Sequence, residues 1–213
     1  MAQPRTAPID RSAGAAADAR PAAAEIGPNA VTQVVAALTL AGLQRHAVPI
    51  FAAAGAADWL ADPPATMVDE RRVARVHQAV RATLGPAEAL AVMAGAGRLT
   101  ADYILAVRIP RPAHAVMMRL PAGFAGRLLV SAIRAHAWTF AGSGRFSARA
   151  GIPTVFEISG NPLCAGERAA APTCAWHAAV YQRLFEVLVA PAVQVAETDC
   201  EACGDACCRF VVD

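Results

Sequence analysis

Val193-Gln194-Val195-Ala196-Glu197-Thr198-Asp199-Cys200-Glu201-Ala202-Cys203-Gly204-Asp205-Ala206-Cys207-Cys208-Arg209-Phe210-Val211-Val212 reads as two strands folded back on each other. Val193, Val195 and Glu197 alternate onto one face of the first strand, and Cys208, Phe210 and Val212 onto one face of the second. Gly204-Asp205 supplies a turn that returns the last strand beside Cys200. Parity separates the adjacent thiols. Cys208 shares the apolar face with Phe210, whereas Cys207 falls with Arg209 on the face expected to meet solvent.

Working back from this hairpin, Thr173 is positioned to cap a helix running to about Ala190, with Pro191 as its stop. On that helix Cys174, Ala178, Tyr181, Phe185 and Leu188 share one face. An earlier alternation predicts two more strands, one through Phe146, Ala148 and Ala150 and one over Val155-Phe156-Glu157-Ile158, with Gly160-Asn161-Pro162 as a turn. Pro121 opens a helix through Phe124, Leu128 and Ile133 to Phe140, closed by Gly142-Ser143-Gly144. The order predicts an α+β fold, with helices packed on a twisted antiparallel sheet over residues 121–213.

The preceding half, residues 28–120, reads as helical. Asn29 caps a helix to about Ala41, Pro49-Ile50 begins a short one toward Gly55, and Asp69 opens one through Val73, Val76 and Val80 to Gly85-Pro86. From Pro86 to about Val107 the propensity is helical, interrupted at Gly95 and Gly97. Residues 1–27 are rich in Ala, Pro, Asp and Arg without apolar periodicity, and are expected to form a disordered tail.

All 19 basic residues are arginine, which excludes a Schiff-base lysine and a lysine-bearing phosphate loop. The arginine bias itself is accounted for by a GC-rich genome. A net charge of +2 points to no particular partner. No secretory signal is visible, and the apolar run over residues 26–44 carries Asn29, Thr32, Gln33 and Thr39, which argues against a span. A cytoplasmic location is expected. There, six cysteines suit metal ligation or buried thiols better than disulfides. On spacing alone, a metal site and a set of buried structural cysteines both remain open.

The pattern C-x22-E-x2-C-x3-G-x3-C-x-F-x-V from Cys174 to Val212 closely resembles the 4-vinyl-reductase domain. Related domains are effector sensors in aromatic-responsive transcription activators, where zinc is held by Cys, Glu, Cys and Cys at this spacing. The resemblance therefore implies one structural zinc on Cys174, Glu197, Cys200 and Cys208. Cys164, Cys203 and Cys207 have no counterpart in the pattern and leave room for a different ligand set. The whole chain resembles the BchJ family of bacteriochlorophyll-synthesis proteins, which gave the domain its name. That family was assigned to reduction of the 8-vinyl (older 4-vinyl) group of a chlorophyllide precursor. The resemblance implies a chlorophyllide-type tetrapyrrole and other bacteriochlorophyll-synthesis enzymes as partners, with a homodimer possible. The expected location widens to the periphery of the photosynthetic membrane.

A vinyl reductase must deliver two electrons and two protons. Gly95-Ala96-Gly97 and Gly142-Ser143-Gly144 lack the third glycine of a dinucleotide fingerprint and its strand-to-helix setting, so both read as breaks or turns. Zinc with four protein ligands is redox-inert. The favoured reading is an accessory protein or substrate carrier that binds the tetrapyrrole. The alternative is the reductase itself or its subunit, using an external reductant. A ligand-sensing regulator is the third class, but no basic recognition helix is visible and no nucleic-acid partner is expected. His136, placed in line with Leu129, Ile133 and Phe140, is the candidate magnesium ligand, beside the blander reading of a packed histidine. His177 and His114 have weaker claims. Arg127 and Arg134 could pair with a tetrapyrrole carboxylate, or form a solvated stripe.

Overall fold

A computed structural model describes residues 24–213. Its C-terminal sheet has four antiparallel strands: β3 (Arg145–Arg149), β4 (Thr154–Ser159), β5 (Val195–Asp199) and β6 (Cys208–Val212), in the order β3-β4-β6-β5. β6 is central. It pairs with β4 through Phe156↔Phe210 and Ile158↔Cys208, and with β5 through Ala196↔Val211 and Glu197↔Phe210. The parity expected of the last strand holds, because Cys208, Phe210 and Val212 are buried while Cys207 and Arg209 are only partly so.

Helix α9 (Ala175–Leu188) lies on this sheet and turns Tyr181, Phe185 and Leu188 into the core. Tyr181 stacks on Phe156 at 4.5 Å, and Phe140 and Phe146 complete the aromatic layer. The other side of α9 packs on α5 (Pro86–Tyr103), which in turn meets α1 (Asn29–Leu40). Thus the helical half and the sheet share one continuous core.

α5 runs unbroken through Gly95 and Gly97 and continues as a π-helical turn, Ile104–Arg108. The expected interruption does not occur, and packing explains the glycine. A Cβ at Gly97 would overlap the Trp176 carbonyl oxygen and lie 2.8 Å from the Ala179 Cβ. Gly97 therefore lets α5 and α9 approach backbone to backbone, which outweighs its poor helix propensity. The helix Pro86–Arg108 is also long and apolar enough to cross a membrane, yet here one face, including Val92, Met93 and Ala96, is core.

Asp69 does open a helix, α4 (Glu70–Thr83), by accepting the Arg71 N–H at 2.8 Å. Two short helices, α2 (Ala47–Ala53) and α3 (Asp58–Ala61), occupy the expected region before it. Three boundaries differ from expectation. Asn29 is the first residue of α1 rather than its cap; the cap position is Pro28. Thr173 does not cap α9, whose cap position is Cys174. The helix from Pro121 does not reach Phe140: α7 (Ala122–Ala135) ends at His136, and α8 (Trp138–Ala141) follows as a separate turn.

The tail expectation divides. Residues 1–23 lie outside the described residues. Beyond them, β1 (Glu25–Ile26) pairs with β2 (Val68–Asp69), and Ile26 is fully buried. The Gly27 N–H donates to the Thr139 carbonyl at 2.7 Å, so residues 24–27 belong to the fold.

Candidate metal centre

The register of β4, β6 and β5 brings four thiols to one corner. Cys208 begins β6, and Cys200 ends the strand beside it. Cys174 stands at the start of α9, and Cys164 ends a 3-10 turn, Pro162–Cys164, that follows β4. All four side chains are buried, and their sulfur atoms lie within 4.8 Å of one another. The Cys164–Cys208 and Cys174–Cys208 separations are both 3.6 Å. A metal with bonds of about 2.3 Å at the centre of a tetrahedron needs sulfurs about 3.8 Å apart. The quartet therefore fits a tetrahedral ion closely, and no pair is joined as a disulfide.

Packing thiols this closely has an electrostatic consequence. Hydrogen bonding to the Cys164, Cys200 and Cys208 sulfurs, together with burial, pushes the Cys174 thiol up. Cys200 is held down by hydrogen bonds from Cys164, Cys174 and Cys208. The corner thus shares a limited number of negative charges among four sulfurs, and a divalent cation would relieve that restriction.

Glu197 adjoins the quartet in a different role from the sulfurs. Its Oε2 accepts the Cys174 N–H at 2.8 Å, as the glutamate of a capping box would, but reaching across from β5. Its Oε1 is buried without a protein partner. Burial, with the Cys200 charge nearby, raises the Glu197 carboxyl to about 9. Three of the residues expected to bind metal, Cys174, Cys200 and Cys208, are together. Cys164 joins them, while the Glu197 carboxylate engages the start of α9. Cys203 is exposed and Cys207 only partly buried.

Neighbouring polar groups fix the loops that present the sulfurs. Asn161, fully buried, accepts the Leu163 N–H at 3.1 Å and donates through Nδ2 to the Cys174 sulfur at 3.3 Å. Glu201 accepts the Gly160 and Asn161 N–H groups at 2.6 and 2.7 Å. Arg81 of α4 reaches both cysteine-bearing loops, pairing with Glu167 and donating to the Leu163 and Thr173 carbonyls at 3.1 and 3.3 Å. Sequence reasoning missed Cys164, Asn161, Glu201 and Arg81. The Gly160-Asn161-Pro162 turn signal could have located Cys164 at the end of its strand.

The expected ligand-binding residues are not gathered at a cavity. His136 is exposed at the end of α7, its Nδ1 at 2.9 Å from the Ala132 carbonyl. Ending α7 at His136 removes its expected alignment with Phe140. Arg127 and Arg134 share one exposed edge of α7, and Arg134 donates to the Ala148 carbonyl. The space between α7 and the sheet is filled by Leu129, Ile133 and the aromatic layer. Two surface clefts lie elsewhere. One, of about 480 Å³, is lined by residues including Arg168, Glu201 and Cys203. The other, of about 320 Å³, includes Glu70, Arg71 and Ser143. His177 is sealed in the core with neither ring nitrogen partnered, and burial lowers its pKa to about 4. His114 remains in α6 (Arg111–Met117), away from the thiol corner in the chain, with its Nε2 unpartnered.

Comparison with known proteins adds independent findings. The 4-vinyl-reductase domain family matches residues 154–213, the segment that carries the whole cysteine quartet. The bacteriochlorophyll synthase 23 kDa chain of Cereibacter sphaeroides is 46% identical over 185 residues, covering 87% of this chain and 88% of that protein. Its counterpart in Rhodobacter capsulatus is 42% identical over 189 residues, covering 88% and 86%. Among solved structures, the phenol-responsive sensory domain of the transcription activator PoxR, with phenol, matches 56% of this chain and 73% of its own. At 17% identity and a TM-score of 0.31, that likeness is too slight to say anything of this chain.

Proposed function

Because the chain belongs to the bacteriochlorophyll synthase 23 kDa chain family, in bacteriochlorophyll biosynthesis, we propose that it is a metal-stabilised accessory protein that carries a chlorophyllide-type tetrapyrrole and supports reduction of its 8-vinyl group. The observation that carries this reading is the closed set of four thiols. With Cys164, Cys174, Cys200 and Cys208 as ligands, zinc has its full tetrahedral complement and no position for substrate. When bound, it supplies structural cross-linking of α9 to the sheet rather than chemistry on the pigment. The chain's own residues do the rest: Asn161 orients the Cys174 sulfur, Glu197 holds the start of α9, and Arg81 ties both cysteine loops to α4.

The pigment contacts are proposed at surface groups. His136 is free to approach a magnesium ion from outside the fold, and Arg127 and Arg134 flank α7 where a carboxylate can pair with them. His177 would need the aromatic core to open first. Titrating the purified protein with a magnesium chlorophyllide tests this, with His136→Ala expected to weaken binding about tenfold or more and His136→Gln less. Unchanged affinity in His136→Ala removes the histidine from the site.

The reductase reading has its own test. Purified protein, divinyl pigment and reduced nicotinamide are mixed, and the pigment is followed by chromatography. No ethyl product is expected. Efficient turnover with no other protein present overturns the carrier reading.

A further inference from the structure

We infer that the segment from the π-turn through α8 is a docking surface for an anionic phospholipid bilayer. The first observation is charge. Between Asp102 and Glu157 there is no acidic residue, yet there are seven arginines: 108, 111, 119, 127, 134, 145 and 149. The chain as a whole is only +2, so its other parts carry a net charge of −5 (+2 minus +7) and positive charge is concentrated here. Among the described residues only Arg149 of these seven forms an ion pair, with Glu157 at 4.0 Å.

The second observation is exposed apolar surface on the same elements. Trp138 is 62% exposed, Phe124 61%, Leu128 52%, Met118 65% and Val116 56%. These are interface-seeking side chains, and their exposure costs solubility unless something covers them. α6 has no buried residue at all. α7 is a well-divided amphipathic helix. Ala125, Leu129, Val130 and Ile133 face the core, Phe124 and Leu128 occupy the opposite face, and Arg127 and Arg134 run along its edge. Aromatic and aliphatic groups on one face with arginine beside them fit the boundary between headgroups and acyl chains. The positive charge selects anionic lipid over neutral lipid or an apolar protein groove. This inference does not rest on pigment binding.

The protein contains its own reporter. Of three tryptophans, Trp59 and Trp176 are buried and Trp138 is exposed. The full chain, without pigment, is mixed with vesicles of phosphatidylcholine alone or of phosphatidylcholine with phosphatidylglycerol. Co-sedimentation with the mixed vesicles is expected, with a blue shift of emission that Trp138→Phe abolishes. Raising salt from about 0.1 M to about 1 M shortens the Debye length from about 10 Å to about 3 Å and should release the protein. Phe124→Ser with Leu128→Ser should weaken partitioning at least tenfold, and Arg111→Gln or Arg127→Gln about fivefold each. These side chains are exposed, so the variants should stay folded. Absence of binding to the mixed vesicles, or equal binding to neutral vesicles at high salt, overturns the inference. So does a blue shift that tracks protein concentration without lipid, with a dimer in sedimentation velocity, since the face would then be covered by a second copy.

Discussion

The thiol corner and the α6–α8 belt are built on opposite terms. At the corner, every sulfur of the quartet is buried and the surrounding loops are fixed by Asn161, Glu201 and Arg81. In the belt, α6 buries nothing, and α7 offers as much apolar surface to the outside as its arginines can border. The corner spends its residues on holding one geometry; the belt leaves large side chains free for a partner. Substitutions should therefore hurt stability at the corner and leave it almost untouched in the belt.

Loss of a corner thiol should have the largest effect. Cys174→Ser, Cys208→Ser or Cys164→Ser should release the metal and loosen the C-terminal hairpin, because metal binding and folding are coupled in such sites by about 10 kcal/mol in small domains. Thermal unfolding with metal analysis reads this directly. Cys203→Ser and Cys207→Ser serve as controls and should retain metal. Equal metal loss in Cys207→Ser and Cys208→Ser would remove the distinction drawn from strand parity.

Next in size are two changes in the shared core. Ile26→Ala should destabilise by about 2–4 kcal/mol in denaturant unfolding, since the side chain is fully buried. Deleting residues 2–23 should cost much less than a deletion that continues through Gly27. Gly97→Ala should cost about 1–3 kcal/mol because α5 and α9 must separate. Gly95→Ala is its contrast. Its Cβ would sit 3.6 Å from the Ala37 Cβ, an ordinary contact, so the substitution should be neutral or stabilising by up to about 1 kcal/mol. Equal effects at the two glycines would mean that the seam is not closely packed.

Acid should act on the core through its histidines. Burial, with Arg81 nearby, lowers the His77 pKa to about 3, and burial lowers His177 to about 4, from 6.5. The unfolded chain therefore binds more protons than the folded one between about pH 6.5 and 4, and stability rises with pH across that window. It is fully present above about 6.5 and lost as pH falls toward 3. Denaturant midpoints at pH 7, 6 and 5 should decrease in that order, and His177→Phe should flatten the slope. A flat profile in the unaltered protein would show that these histidines are protonated or open in the folded state.

The smallest effect belongs to the belt. Phe124→Ser with Leu128→Ser should change stability by no more than about 0.5 kcal/mol per site, because neither side chain is packed. A large loss would mean that this face is already covered in the isolated protein.

The same contrast explains what the sequence disclosed. Periodicity and parity were enough for β6, where Cys208, Phe210 and Val212 face the core, and for the inward stripe of α9. They could not supply strand order. Only the pairing of β4 with β6, through Ile158↔Cys208, shows that the turn after β4 delivers Cys164 to the other thiols. Nor does local propensity register a helix crossing, so Gly97 reads as a break until α9 is laid against it. His136 was misaligned for a related reason. The chain keeps an apolar pattern from Phe124 to Phe140, but α7 ends at His136 and resumes as a separate turn. Glu197 stood at the expected spacing, but spacing did not disclose that its carboxylate accepts the Cys174 N–H.

The direct test of the account is the metal itself, its identity and its ligands in protein purified without oxygen. Elemental analysis should find one zinc per chain, and X-ray absorption at the zinc edge should show four sulfur neighbours at about 2.3 Å. Cys164→Ser should convert the shell to three sulfurs or empty it, whereas Glu197→Gln should keep all four. Three sulfurs and one oxygen in the unaltered protein, with metal lost in Glu197→Gln and kept in Cys164→Ser, would contradict the four-thiol centre. A coloured iron centre would contradict the purely structural role.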